Sequence, residues 1–286
     1  MSHARHRLSR APLALAGLVA VGLLAGCSLV PPYERPAAPI ASHWPDTAGA
    51  PERGQIVHAA LEAFVRRWPA ELPNAPLTVL LEIGESLFAP LAHRPQVRSI
   101  WWPRFREIAG WFVEQERTRR REVERVVTEI RGTLDLATPA GVLQITARAD
   151  RVEVGRDGTV AIVRYGTGRA PKPKEVAQGL APQLPIEGLI ALAGGFPSLP
   201  AGPPGELRFW QLTGGDPPGA AIDPAGKQEL EPLLESARDG LARLLAHFDD
   251  PATAYVPVPR PEIAPGHNPY HHLARIDEWW GTETAG

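Results

Sequence analysis

The sequence predicts an α/β fold, on three observations. Val57, Leu61, Phe64 and Val65 recur at helical spacing. The stretch Val142–Gly168 alternates apolar residues about Asp157-Gly158, a dipeptide that tolerates the positive φ of a tight hairpin turn. After it, Lys172–Ala193 returns to a helical pattern interrupted near Pro182, since proline is tolerated in a first turn but not in a helix interior.

Taken in order, residues 1–27 read as a targeting segment. Arg5, Arg7 and Arg10 precede an apolar run, Ala11 to Leu24, that closes on Leu24-Ala25-Gly26-Cys27. The ending is similar to a bacterial lipobox, which implies lipidation of Cys27 and membrane attachment through it. Residues 28–52 are rich in proline and alanine without periodicity and read as a semi-rigid linker. Cys27-Ser-Leu-Val-Pro-Pro-Tyr with Trp44-Pro45 resembles the mature start of the outer-membrane channel lipoproteins of drug-efflux pumps, although the long helices of such a channel do not follow.

Residues 53–286 form the body. A hydrophobic content of 44% in 286 residues suffices for a core, and a net charge of −2 gives no general nucleic-acid signal. The 32 prolines and 27 glycines fall mostly between periodic segments, which fits a loop-rich globular protein. A single cysteine excludes an intrachain disulfide and any four-cysteine cluster. His58 and Glu62 lie one turn apart beside the first apolar stripe. Ala75–Ala92 and Val97–Arg131 read as helices carrying an aromatic core, Trp101, Trp102, Phe105, Trp111 and Phe112. Glu114–Arg125 reads as a solvated charge-rich stretch; Arg119-Arg120-Arg121 suits either a nucleic-acid backbone or a plain exposed face. Glu124–Leu136 alternates as a strand, Glu206–Leu212 is a short strand and Lys227–Phe248 an amphipathic helix. In the hairpin, Asp150 shares a face with Val152 and Val154, and Arg164 with Val160, Ile162 and Gly166. A register pairing the apolar residues therefore brings Arg164 to Asp150 at one sheet edge, where the two should pair. No H-E-x-x-H and no phosphate-cradling loop is present; Gly166-Thr167-Gly168 and Gly214-Gly215-Asp216 are turns.

The runs Ala147-Arg148-Ala149-Asp150-Arg151-Val152-Glu153 and Ile162-Val163-Arg164-Tyr165-Gly166-Thr167-Gly168-Arg169 resemble the core hairpin of RecB-type PD-(D/E)XK nucleases, as in AddB-type helicase-nuclease subunits. The likeness extends to Arg53-Gly54-x-x-x-His58-x-x-Leu61-Glu62-x-Phe64, to Gln183-Leu-Pro-Ile-Glu187, to Asp249–Tyr255 and to Tyr270–Trp279. It implies a restriction-endonuclease-like core, a mixed sheet flanked by helices, acting on DNA in double-strand break repair beside an AddA-type partner. By the same resemblance His58, Asp150 and the Tyr165 carbonyl correspond to Mg2+ ligands, with Asp150 and Gln183 in the catalytic set. Where the family has its second carboxylate and its lysine, this chain has Arg164 and Gly166. A guanidinium keeps its charge, repels a divalent cation and occupies Asp150, so Mg2+ binding and nuclease activity are expected to be lost, leaving a structural or DNA-binding role. The alternatives are an active Mg2+-dependent exonuclease in which Lys172, Lys174 or Glu175 restores the site, and a lipid-anchored periplasmic binding or assembly module. The leader points to the periplasmic side of a membrane and the body to cytoplasmic DNA; a chain spliced from two sources accounts for both better than an exported repair protein.

Overall fold

The computed structural model describes residues 50–226, 229–256, 258, 260, 273 and 275, all within one compact unit. Cys27, the leader, the linker through 49 and nearly all of 270–279 lie outside them. Helix α1 (Ala50–Arg67) starts inside the stretch read as linker. It is followed by α2 (Pro76–Phe88), a π-helical turn at Val97–Trp101 and α3 (Trp102–Arg119). Strands β1 (Val123–Thr138), β2 (Gly141–Gly155) and β3 (Val160–Gly166) lead into α4 (Pro173–Ala177) and α5 (Gln183–Leu192). Then come β4 (Glu206–Leu212), β5 (Gly219–Ile222) and α6 (Leu230–Asp249). The helix read through Arg131 thus ends at Arg119, and β5 carries no alternation long enough to announce itself.

The sheet runs β1-β2-β3-β4-β5, with β3 and β4 parallel and every other pair antiparallel. The parallel step needs a crossover, which α4 and α5 supply. Two cores result. On one face Val57, Leu61 and Phe64 of α1 and Phe105 and Phe112 of α3 pack on Val163, Tyr165 and Trp210. On the other, Leu184 and Ile190 of α5 and Leu233 of α6 pack on Val152, Ile162 and Leu207. This is the mixed, helix-flanked sheet expected, with the predicted helical stripe and aromatic group in the first core. A Cβ at Gly195 would strike the Thr133 carbonyl, and Gly195 also accepts a hydrogen bond from Thr133 N–H at 3.1 Å. Gly195→Ala is therefore expected to cost about 1–3 kcal/mol, read from urea denaturation.

The stretch Glu114–Arg125 is not simply solvated. Glu116 is buried and takes Arg120 (2.8 Å) and the buried Arg151; Arg119 binds Glu153 (2.6 Å) and Glu206 (2.9 Å). Arg119 and Arg120 are committed to this network, so of the Arg119-Arg120-Arg121 cluster only Arg121 stands on an exposed face. Arg151 also donates to Glu153 (2.6 Å) and lies over the Trp210 ring at 5.3 Å. Burial alone would raise the Glu153 carboxyl, but Arg151 and Arg119 overcome it and hold it below the usual range.

Candidate functional site

The β2–β3 ladder pairs Val154↔Val160, Val152↔Ile162 and Arg151↔Val163, the register expected from the apolar residues. One step on, the strands part, and the Tyr165 N–H donates to Asp150 Oδ2 at 2.8 Å. The site lies at the end of two interior strands, not at a sheet edge. Across β1, between the pairs Thr128↔Arg151 and Ile130↔Ala149, Glu129 takes a positive φ of 54° opposite Asp150. Strand alternation breaks there: Ala149 and Val152, three residues apart, pack into the same core. A strand residue in the left-handed region costs about 1–3 kcal/mol. Here it leaves two acids, Glu129 and Asp150, side by side.

Arg164 does not pair with Asp150. Its Nη1 bonds Glu187 Oε1 at 2.9 Å, and Glu187, projecting from α5, is 1% exposed with its Oε2 lacking any hydrogen-bond partner. The register brought the guanidinium to the acid as expected, but Asp150 was already taking the Tyr165 amide, and the second carboxylate from the helix took the charge. Burial, with the Asp150 charge adding and Arg164 opposing, pushes the Glu187 carboxyl up to about 7. His58 sits edge-on to Tyr165, ring centroids 5.7 Å apart. Burial lowers its pKa despite the pull of Asp150, and Arg164 and Arg148 lower it further. His58, Asp150 and Arg164 are thus brought together, without the Asp150–Arg164 pair that the sequence suggested. Gln183 is exposed in the first turn of α5, and Glu187, one turn later, is the residue that reaches in.

A cleft of about 430 Å3 opens beside them, lined by Gly54, Gln55, His58, Ala59, Glu62, Glu129 and Arg148. Arg148 bonds Glu129 at 2.8 Å, and Glu62 pairs with Arg66. Burial raises the Glu129 carboxyl, with Arg148 opposing. Among the described residues no three or more His, Cys, Asp or Glu stand together as a metal would need. Magnesium takes an octahedron of oxygens at roughly 2.0–2.1 Å. Here one Asp150 oxygen accepts an amide, Glu187 holds a guanidinium, and Arg164 puts a fixed charge between them. This donor set does not fit Mg2+. Of the residues that the rearranged-site alternative needs, Glu175 is spent on Arg169 (2.9 Å) and on the Lys172 N–H (2.8 Å). Lys172 and Lys174 are exposed.

The raised Glu187 carboxyl sets a pH dependence. The folded protein keeps that proton up to about 7, whereas an unfolded glutamate loses it near 4.5. The associated stability is complete below 4.5 and is lost as pH rises to 7, a change of roughly 3 kcal/mol. His58 works with the opposite sign: lowered when folded, it withdraws stability as pH falls below its ordinary value. Comparing the protein with Glu187→Gln isolates the first effect. The difference in unfolding free energy between pH 5 and pH 8 should shrink by about that amount in the variant.

A mixed five-stranded sheet between helical layers, with an acid where two interior strands part, defines a nuclease-like α/β domain. Residues 36–257 match the PD-(D/E)XK nuclease superfamily, and the chain belongs to it. An uncharacterized protein of Rickettsia bellii is 26% identical over 208 residues, 68% of this chain and 25% of that protein. Uncharacterized proteins of Rickettsia conorii and Rickettsia typhi are 27% and 29% identical over 147 residues. Each match covers 50% of this chain, and 18% and 17% of those proteins respectively. The chain therefore spans a quarter or less of these relatives. The crystal structure of SSO0001 is similar at 14% identity over 65% of this chain and 71% of that one, with a TM-score of 0.26.

Proposed function

We propose that this is a RecB/AddB-type nuclease domain of DNA double-strand break repair whose metal centre has been replaced by an ion-paired cluster, leaving a structural or DNA-binding role beside a helicase-nuclease partner. The observation that carries the reading is the Arg164–Glu187 pair, seated beside Asp150 at the strand position where the family places its second metal-binding acid. A divalent ion would meet a permanent cation there and only part of an octahedral oxygen set. Gly166, at the family's lysine position, offers no general base or charge for an attacking water. The test is incubation of plasmid DNA with the full chain and Mg2+ or Mn2+. No cleavage is expected, and cleavage that Asp150→Ala abolishes would refute the proposal.

A further inference from the structure

Around the cleft each of these cations has an acid: Arg148 has Glu129, Arg164 has Glu187 and Arg66 has Glu62. The connection from β3 to α4 does not keep that balance. It starts against the cleft wall: a Cβ on Gly54, a cleft residue, would lie 3.1 Å from Thr167 Oγ1, and Arg53 Nη2 donates to the Thr167 carbonyl at 3.4 Å. Gln211 Nε2 donates to the Gly168 carbonyl at 3.0 Å, and the chain then bends through exposed Arg169, Lys172 and Lys174. Glu175 braces the bend, one oxygen accepting from Arg169 Nη2 at 2.9 Å and the other from the Lys172 N–H at 2.8 Å. Pro171 and Pro173 flank Lys172 and restrict its backbone, which is extended (φ −75°, ψ 149°).

This contact-linked stretch carries four cations, Arg53, Arg169, Lys172 and Lys174, against one acid, Glu175, which Arg169 occupies. No carboxylate among the described residues pairs with Arg53, Lys172 or Lys174, and the buried Arg53 Nε has no acceptor. A surplus of three positive charges on one bend stands out in a chain whose net charge is −2. One exposed lysine is an ordinary solvated residue. Three unpaired cations on a stiff bend suit a polyanion, which gains affinity with every phosphate neutralised and meets groups that need little further ordering. A protein partner fits less well, because Gly168–Lys174 offers no apolar side chain larger than proline, whereas protein interfaces centre on large buried anchors. We propose that Arg53 and the β3–α4 bend, through Lys172 and Lys174, form a ledge that binds the phosphates of a nucleic-acid strand lying beside the cleft. This rests on the reading that the domain still binds DNA, and it locates that binding outside the former metal site.

The test is fluorescence anisotropy of a labelled single-stranded DNA of about 20 nucleotides, titrated with the full chain in EDTA from about 20 to about 200 mM salt. Lys172→Gln plus Lys174→Gln should weaken binding about tenfold and flatten the slope of log K against log salt by about 1.4, the release expected from two phosphates of a single strand. Adding Arg53→Gln should flatten it by about a further 0.7. Lys172→Arg plus Lys174→Arg keeps both charges and should match the parent. Arg238→Gln plus Arg243→Gln, which removes as much charge from exposed positions of α6, should match it too. Circular dichroism identical to the parent establishes that each variant is folded. Parent-like affinity and slope in the folded Lys172→Gln, Lys174→Gln variant, or an equal loss in the α6 variant, would overturn the ledge while leaving DNA binding in place. A parent chain that binds no DNA at about 20 mM salt would overturn both the ledge and the reading it rests on. Labelled poly-glutamate is the second probe, and weaker binding than that of DNA is expected. Lysine-dependent binding of the peptide as tight as that of DNA would assign the bend to an acidic protein surface and overturn the nucleic-acid ledge.

Discussion

The chain carrying Arg164→Asp together with Gly166→Lys is expected to cleave plasmid DNA with Mg2+ or Mn2+, at least about 100-fold faster than the unaltered chain. Space favours the change: nothing lies within 4 Å of where a Cβ on Gly166 would sit, so a lysine there enters open volume. Charge favours it too. Removing the guanidinium frees Glu187, whose second oxygen has no partner, and sets a new acid beside Asp150. Calorimetry should show manganese binding in the double variant and none in the parent. Equal inactivity of the parent and the double variant, with both folded, would overturn the proposal that these two positions decide whether the domain cleaves DNA.

The second large effect concerns stability. Arg151→Met is expected to lower the unfolding free energy by about 3–5 kcal/mol, because the arginine is wholly buried among Glu116, Glu153 and the Tyr165 hydroxyl. Arg120 and Arg119 remain for the two carboxylates, yet each acid loses a cation in a place where water cannot replace it. The thioether fills much of the volume but offers no donor. Urea titration at pH 7 measures the change, and a loss below about 0.5 kcal/mol would show that the flanking arginines suffice.

Much of this arrangement was legible in the chain. The stripe Val57-Leu61-Phe64 and the alternation about Asp157-Gly158 gave α1, β2 and β3, because periodicity reports which face is buried. The same period-two logic brought Arg164 to Asp150. What it could not give was competition. The partner of Arg164 was decided by a helix more than twenty residues downstream, and Asp150 was engaged by an amide that becomes available only where two strands part. A signal for Glu187 did exist: it is the lone acid in Gln183–Leu192, flanked by Leu184, Leu189 and Ile190, and it lies one turn beyond the glutamine singled out instead. The buried ion-pair network was hidden for a similar reason. A run such as Glu116–Arg121 looks solvated until the sheet residues that neutralise it, Arg151, Glu153 and Glu206, are brought across from other elements. The left-handed Glu129 left no trace, since nothing in its neighbours asks for that backbone.

Under the proposed loss of the metal site, the Arg164–Glu187 pair also acts as a ratchet on the history of the domain. Restoring the acid alone crowds a third carboxylate against Asp150 and Glu187 with no counter-charge, whereas restoring the lysine alone adds a cation next to an arginine that is already satisfied. Either single step is penalised before any activity returns to reward it. A lineage that has made this exchange therefore tends to stay past it, free to drift in its chemistry while the paired charges keep the architecture in place.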